Sequence, residues 1–259
     1  GSPNNVGLFL GRVVPFVLPW VVLTTRSSVR LLAGLAGAVL LITVIFSQSV
    51  GALILGVPAG VLAVLLLWNR RQAIIALIVT AAVGILAAIP LSQHTRLGRI
   101  LDLSNGTSFF RLRLWQSTLQ MLNDHPITGV GLDQFLYQYR GRYILPDAWQ
   151  EPNLSHPHNI LLDFWTRLGL GGVLALFWLQ VAFWRASWHI YSSVHPAQDT
   201  TTLRAVSMGM MGSMAALLAH GLVDNSVFVQ DLSYVFALLI ALPSLLHTAQ
   251  AGEQQPARA

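Results

Sequence analysis

The chain contains no cysteine and no lysine. Without cysteine there is no disulfide and no thiolate metal site, and the redox compartment is left open. Without lysine, all 15 basic residues are arginine. Charge of either sign is scarce, at 10% of 259 residues, where a soluble domain carries roughly a quarter. Apolar residues make up 54% and the mean hydropathy is +0.61. Polar side chains are too few to cover a water-facing surface, so lipid is the expected solvent for much of the chain. The net charge of +5 and a pI near 10.4 do not point to nucleic acid, because the arginines are scattered between apolar runs instead of clustered. The opening GSPNNVGLF has no basic region and no small-residue cleavage site, so it is not a signal peptide. It has no initiator Met either, and the chain is expected to be a fragment or a processed piece of something longer.

What is present in quantity is apolar sequence in long runs. A bilayer core needs roughly 20 apolar residues per helix. Runs at about 6–23, 31–48, 50–68, 73–91, 159–184, 203–223 and 231–248 meet that need. No alternation of period two argues for a barrel, and only helices otherwise satisfy their own backbone in lipid. The expected fold is therefore all-α, a polytopic transmembrane bundle of about seven spans. Residues 1–91 would carry four spans, 92–157 one long loop, 158–250 three spans, and 251–259 a disordered tail. Arg26 and Arg30, Arg70 and Arg71, and Arg185 and Arg204 flank three short connections that fall on one side. That side should be the cytoplasm, which leaves residues 92–157 extracytoplasmic.

Loops longer than about 15 residues are usually functional or disordered, and this one has structure written into it. Ser108 is placed to cap a helix over about 109–123, with Phe110, Leu114, Leu119 and Leu122 as an apolar face at the membrane surface. His125-Pro126 ends it. Gly129 and Gly131 follow, in a turn where backbone can approach a ligand. The loop carries Arg96, Arg99, Arg111, Arg113, Arg140 and Arg142 with His125, His156 and His158. Arginine pairs bidentately with phosphate and keeps its charge; the alternative is that these groups hold the loop on anionic head groups. His156 and His158 are two apart, with Asp147, Glu151 and Asp163 the nearest carboxylates. No helical metal-ligand spacing, phosphate loop, serine elbow or dinucleotide fingerprint occurs, so neither a metal nor another cofactor is expected.

At these residues the sequence resembles the O-antigen ligase and O-antigen polymerase family of bacterial membrane glycosyltransferases. RLRLWQSTLQMLNDHPITGVGLDQF looks like that family's Arg-x-x-x-Trp helix followed by His-Pro, Gly-x-Gly and Phe. HNILLDFWTRLGLGG looks like its His-Asn and Gly-x-x-Gly signature, here His158, Asn159, Gly169 and Gly172. SPNNVGLFLGR resembles the Pro-Asn segment that opens an earlier span, and HGLVDNSVF the His/Asp junction before the last helix. The order of the motifs covers roughly positions 1–245. The resemblance implies the C-terminal part of a larger membrane protein at the bacterial inner membrane. It implies transfer of a glycan from a polyprenyl diphosphate carrier to an acceptor sugar hydroxyl, on the outer face and without metal, with His158 and Arg111 as the essential groups. The partners implied are the lipid-linked glycan donor, a glycan or lipid-linked sugar acceptor, and membrane lipids, with no nucleic acid. One departure stands out: where the family often has Ser-Arg-Gly-Ala, this chain has SQSVGAL, with Val50 in place of the arginine. Arg12 and Arg113 are the candidates to replace it.

The chemistry is consistent with that reading. A lipid diphosphate leaving group needs fixed cations where no metal is in evidence. Arg111 is the first choice, supported by Arg113, Arg140 and Arg142. The attacking hydroxyl needs its proton held, and a histidine titrating near neutrality suits this. His158 fits, with Asn159 to orient it. Arg12 lies within the first run, where charge is costly and functional by default. His220 and Asp224, near the outer end of the sixth run, are further candidates to line the cavity. Arg167 pairs with Asp163 at i, i+4, while His189 and His195 fall on the cytoplasmic side. Two other readings remain. A small-solute transporter or channel would need polar groups at mid-membrane, and the second to fourth runs hold no charge there. A non-catalytic scaffold binding lipid or glycan is the other, and Val50 keeps it open.

Overall fold

The computed structural model describes residues 3–94, 106–193, 201–225 and 227–253. Arg96, Arg99, His195 and the last six residues of the expected tail lie outside them. Among the described residues the secondary structure is entirely helical. Helices occupy all seven apolar stretches: α1 (Pro3–Leu23), α2 (Ser27–Ser47), α3 (Val57–Trp68, entered through a π-helical turn at Ala52–Gly56), α4 (Arg70–His94), α7 (Ile160–Ser193), α8 (Thr201–Gly221) and α9 (Gln230–Glu253). Between α4 and α7 come α5 (Thr107–Asp124) and the short α6 (Phe135–Gln138), a π-helical turn at Tyr139–Tyr143 and a 3-10 turn at Pro146–Ala148. The helix of α9 runs to Glu253, three residues into the stretch expected to be a tail.

Among the described residues, four helices are long and apolar enough to cross a membrane: Asn4–Leu23, Ser27–Ser47, Ile160–Ser193 and Thr201–Gly221. Ala52–Trp68 and Leu232–Leu246 are shorter apolar helices. α2 presents Leu31, Leu32, Leu35, Val39, Ile42 and Phe46 outward. So large an apolar face would be costly in water and is natural against hydrocarbon.

The chain divides into two compact units. The first comprises residues 1–73, 178–221 and 226–259. Here α1 packs on α2, α3 and α8, and α3 packs on α8. Glycines allow the close crossing: a Cβ on Gly60 would collide with Pro15 and the Gly212 carbonyl, and one on Gly212 would press on Val64 and Pro15. Small residues at a crossing let backbones approach where lipid supplies little hydrophobic drive. The α2–α3 junction breaks at Gln48, a left-handed cap (φ 53°). Next to it Ser49 donates to Asn4 at 2.7 Å, so the Pro-Asn segment and the SQSV segment, far apart in sequence, lie together.

The second unit comprises residues 74–177 and 222–225. Its core is Leu114 and Met121 of α5 against Phe135, Tyr139 and Tyr143. Phe135 and Tyr139 stack, centroids 5.9 Å apart. The packing face of α5 runs through Leu114, Ser117, Thr118, Met121 and Leu122. Leu119, grouped with Leu114 and Leu122 in the expected membrane-surface face, is 55% exposed; five residues past Leu114 it lies well round the helix from the packing stripe. Nor does Ser108 cap the helix. Gly106 takes the N-cap (φ 82°), a conformation that glycine tolerates, and Ser108 lies within the first turn.

Candidate active site

α7 is kinked at Gly169, whose φ of 65° is non-helical. The kink has a partner. Leu170 N donates to the Ile127 carbonyl at 2.9 Å, and Val130 N donates to the Thr166 carbonyl at 2.7 Å. A Cβ on Gly129 (φ 62°) would collide with the Trp165 and Thr166 carbonyls, and one on Gly169 with the Ile127 carbonyl. The Gly-x-Gly turn and the first glycine of the Gly-x-x-Gly signature are therefore two halves of one joint. The close backbone approach expected at Gly129 is real, but its object is the helix backbone instead of a ligand. Trp165 Nε1 donating to the Pro126 carbonyl at 2.7 Å closes the other edge.

The joint fixes the start of α7, where Asn159 is the N-cap. Its Oδ1 accepts from the backbone N–H groups of Leu161 and Leu162 at 3.0 and 3.1 Å, and its Nδ2 donates to the Leu222 carbonyl at 3.0 Å. Asn159 thus holds the helix end and the 222–225 segment, and its amide is not the group that orients His158. That group is Asp224, whose Oδ1 stands 2.8 Å from His158 Nδ1. With Asp224 as a carboxylate, which only accepts, and a neutral imidazole, the bond would place the proton on Nδ1 and leave Nε2 its lone pair. His158 has a positive φ of 49°, uncommon for a non-glycine residue. Its neighbours hold it there: Asp224 on the ring, Asn159 following, and Trp115 Nε1 donating to the Pro157 carbonyl at 2.8 Å before it.

Asp224 is itself flanked by a polar chain. Asn225 donates to Asp163 Oδ2 at 2.6 Å, and Arg167 bonds Asp163 through Nε at 2.8 Å and Asp133 through Nη1 at 2.7 Å. The Arg167–Asp163 pair is the one expected at i, i+4. The reach to Asp133 and Asn225 is additional, and sequence spacing offered no signal for it. His156 lies beside His158 with ring centroids 4.2 Å apart. Its Nε2 is 3.7 Å from Asp224 Oδ1, too far for a hydrogen bond.

The arginines separate into two groups. Arg113 pairs with Asp147 at 2.8 Å and donates to Gln116, and Arg142 pairs with Asp124 at 3.3 Å. Among the described residues Arg140 reaches only Asn153, at 3.5 Å. Arg111, half-buried, has no ion-pair or hydrogen-bond partner among the described residues. It lies one turn before Trp115, so the two share a face of α5. Nearby, burial pushes the Tyr139 phenol up, with Glu151 adding to it. Burial and the hydrogen bond to Asp124 do the same for Tyr143, against the opposing charge of Arg142. Both phenols stay protonated near neutrality; Tyr143 donates to Asp124 at 2.7 Å, and Tyr139 is part of the apolar core.

Two expected site residues belong to the first unit. Arg12 is 4% exposed in α1, and its carbonyl accepts from Ser213 at 2.7 Å. His220 is buried, with its ring against Gly56.

A family model described as O-antigen ligase matches residues 33–177, more than half of the chain. The match includes Arg111, Trp115, His158 and both glycines of the joint, while Arg12, His220 and Asp224 lie outside it. No curated protein matches the chain.

Proposed function

The chain belongs to the O-antigen ligase family, and from that premise we propose that it transfers a glycan from a polyprenyl diphosphate carrier to an acceptor sugar hydroxyl, as a ligase or a polymerase. It is an integral membrane protein of glycan processing. The observation that carries the finer reading is the His158–Asp224 bond of 2.8 Å. It leaves Nε2 of an oriented imidazole free to take a proton.

The acceptor oxygen attacks the anomeric carbon, its proton passes to His158 Nε2, and the bond from that carbon to the diphosphate oxygen breaks. The polyprenyl diphosphate departs with the electron pair, and its growing charge needs a fixed cation. Arg111 is best suited, since its guanidinium is uncommitted among the described residues. Arg140 is the next candidate; Arg113 and Arg142 are already neutralised by Asp147 and Asp124, so they support the loop. No step requires a metal or a nucleotide sugar. Seven spans, with residues 92–157 on the outer face of the inner membrane, would present this site to a periplasmic donor. The basic residues at the three short connections support that orientation.

The test is glycan transfer from a purified lipid-linked donor in liposomes. His158→Ala and Arg111→Ala should each abolish transfer while the protein still inserts and elutes as the parent does. Full activity in both variants would remove the assignment.

A further inference from the structure

His156, His158 and Asp224 each direct one ligating atom into a common volume, all within 4.8 Å of one another. His158 Nδ1 is 2.8 Å and His156 Nε2 3.7 Å from the same carboxylate oxygen. In a tetrahedral zinc site with bonds of about 2.0–2.1 Å, neighbouring ligand atoms stand about 3.3–3.4 Å apart. The two separations to Asp224 straddle that value, and the third, between the imidazole nitrogens, is within 4.8 Å, so side-chain adjustment alone would seat an ion. Two imidazoles and one carboxylate suit zinc and its neighbours, whereas magnesium prefers an all-oxygen shell and keeps its water. The second imidazole is already aimed. Ser155 Oγ lies 3.2 Å from His156 Nδ1, which turns Nε2 towards Asp224. Asp224 is buried and the two imidazoles are partly exposed, at 19% and 24% of their side chains. An ion therefore has an entry path and a fourth position open to water.

We propose that this triad is an inhibitory site for a zinc-class divalent cation, filled at the expense of glycan transfer. The binding half of the idea stands on geometry alone; the inhibitory half rests on His158 as the base. The exclusion follows from the imidazole. Transfer needs the proton on Nδ1 and the lone pair on Nε2. A metal bound at Nδ1 takes that lone pair, and the single ring proton must move to Nε2. There it blocks acceptance of the acceptor's proton. The ion also takes the Asp224 oxygen that holds the ring. One ion thus removes both the base and its orienting bond, while the diphosphate-facing arginine is untouched.

The experiment uses the whole chain in detergent, titrated calorimetrically with zinc chloride and in parallel with magnesium chloride, and the transfer assay run with the same ions. One zinc per chain is expected, with loss of transfer over the same concentration range and no response to magnesium. His156→Ala should keep transfer in chelated buffer and weaken both zinc binding and inhibition by at least about tenfold, the scale of losing one metal-site partner. His156→Gln provides the same readout with a polar side chain retained, and His125→Ala, outside the triad, should bind zinc as the parent does. Absence of bound zinc in the parent, or equal binding in both His156 variants, overturns the site. Zinc bound with transfer intact overturns the inhibition. A chain that transfers no glycan under any condition defeats the reading of the reaction, and calorimetry still decides the metal site.

Discussion

In the proposed reaction, Asp224 sets which nitrogen of His158 is left for the acceptor. An asparagine there presents either an acceptor or a donor to Nδ1, and the donor form pulls the lone pair to the wrong side of the ring. Asp224→Asn is therefore expected to lower kcat by about 10²-fold or more with KM little changed, since general-base catalysis is worth about that much. A steady-state comparison reads the split; a rise in KM with kcat intact would make Asp224 a binding group instead. The candidate histidine was visible in the sequence because it begins an apolar run beside an asparagine. Its orienting partner was not assigned, since Asp224 is 66 residues away and no local spacing marks such a pair. The arginines show the same limit. Sequence ranked Arg111 first with Arg113, Arg140 and Arg142 as supports, and gave no sign of the ion pairs with Asp147 and Asp124 that occupy two of those supports.

The joint between the 127–131 turn and the kink of α7 is the decisive feature at the level of elements. Both Gly129 and Gly169 have positive φ, and at each a side chain would meet backbone, which cannot move aside. A left-handed conformation alone costs a side-chain-bearing residue roughly 1–2 kcal/mol, and the collision adds to it. Gly129→Ala should lower the thermal midpoint of the protein and expose the 127–131 segment to limited proteolysis, whereas Gly141→Ala, with open space around it, should do neither. Equal midpoints for the two variants would refute the joint. The positions of all the long helices were legible from runs of apolar residues. The kink was not, since Gly169 lies inside the run at about 159–184 that reads as one span, and the Gly-x-Gly turn was read as an approach to ligand because a glycine reports closeness without naming what is close.

For the whole molecule the scarcity of charge and the outward apolar face of α2 make membrane insertion a requirement of folding. Orientation is the part that arginine placement alone addresses. The absence of cysteine makes it measurable. Single cysteines at Trp149, 54% exposed, and at the exposed Gln72 should behave oppositely towards a membrane-impermeant maleimide. Trp149→Cys should label in cells with a permeabilised outer membrane, and Gln72→Cys only after the inner membrane is opened. The reverse pattern would turn the long loop to the cytoplasm.

The separation of His158 from Asp224 along the chain has a consequence for biosynthesis. The ribosome delivers the loop, the joint and the base before it delivers the carboxylate that orients the base. In between, α8 must leave the translocation machinery and enter the bilayer. A nascent chain halted before residue 222 therefore carries a histidine with no fixed tautomer. If His158 is the base proposed above, competence to transfer cannot precede the insertion of α8.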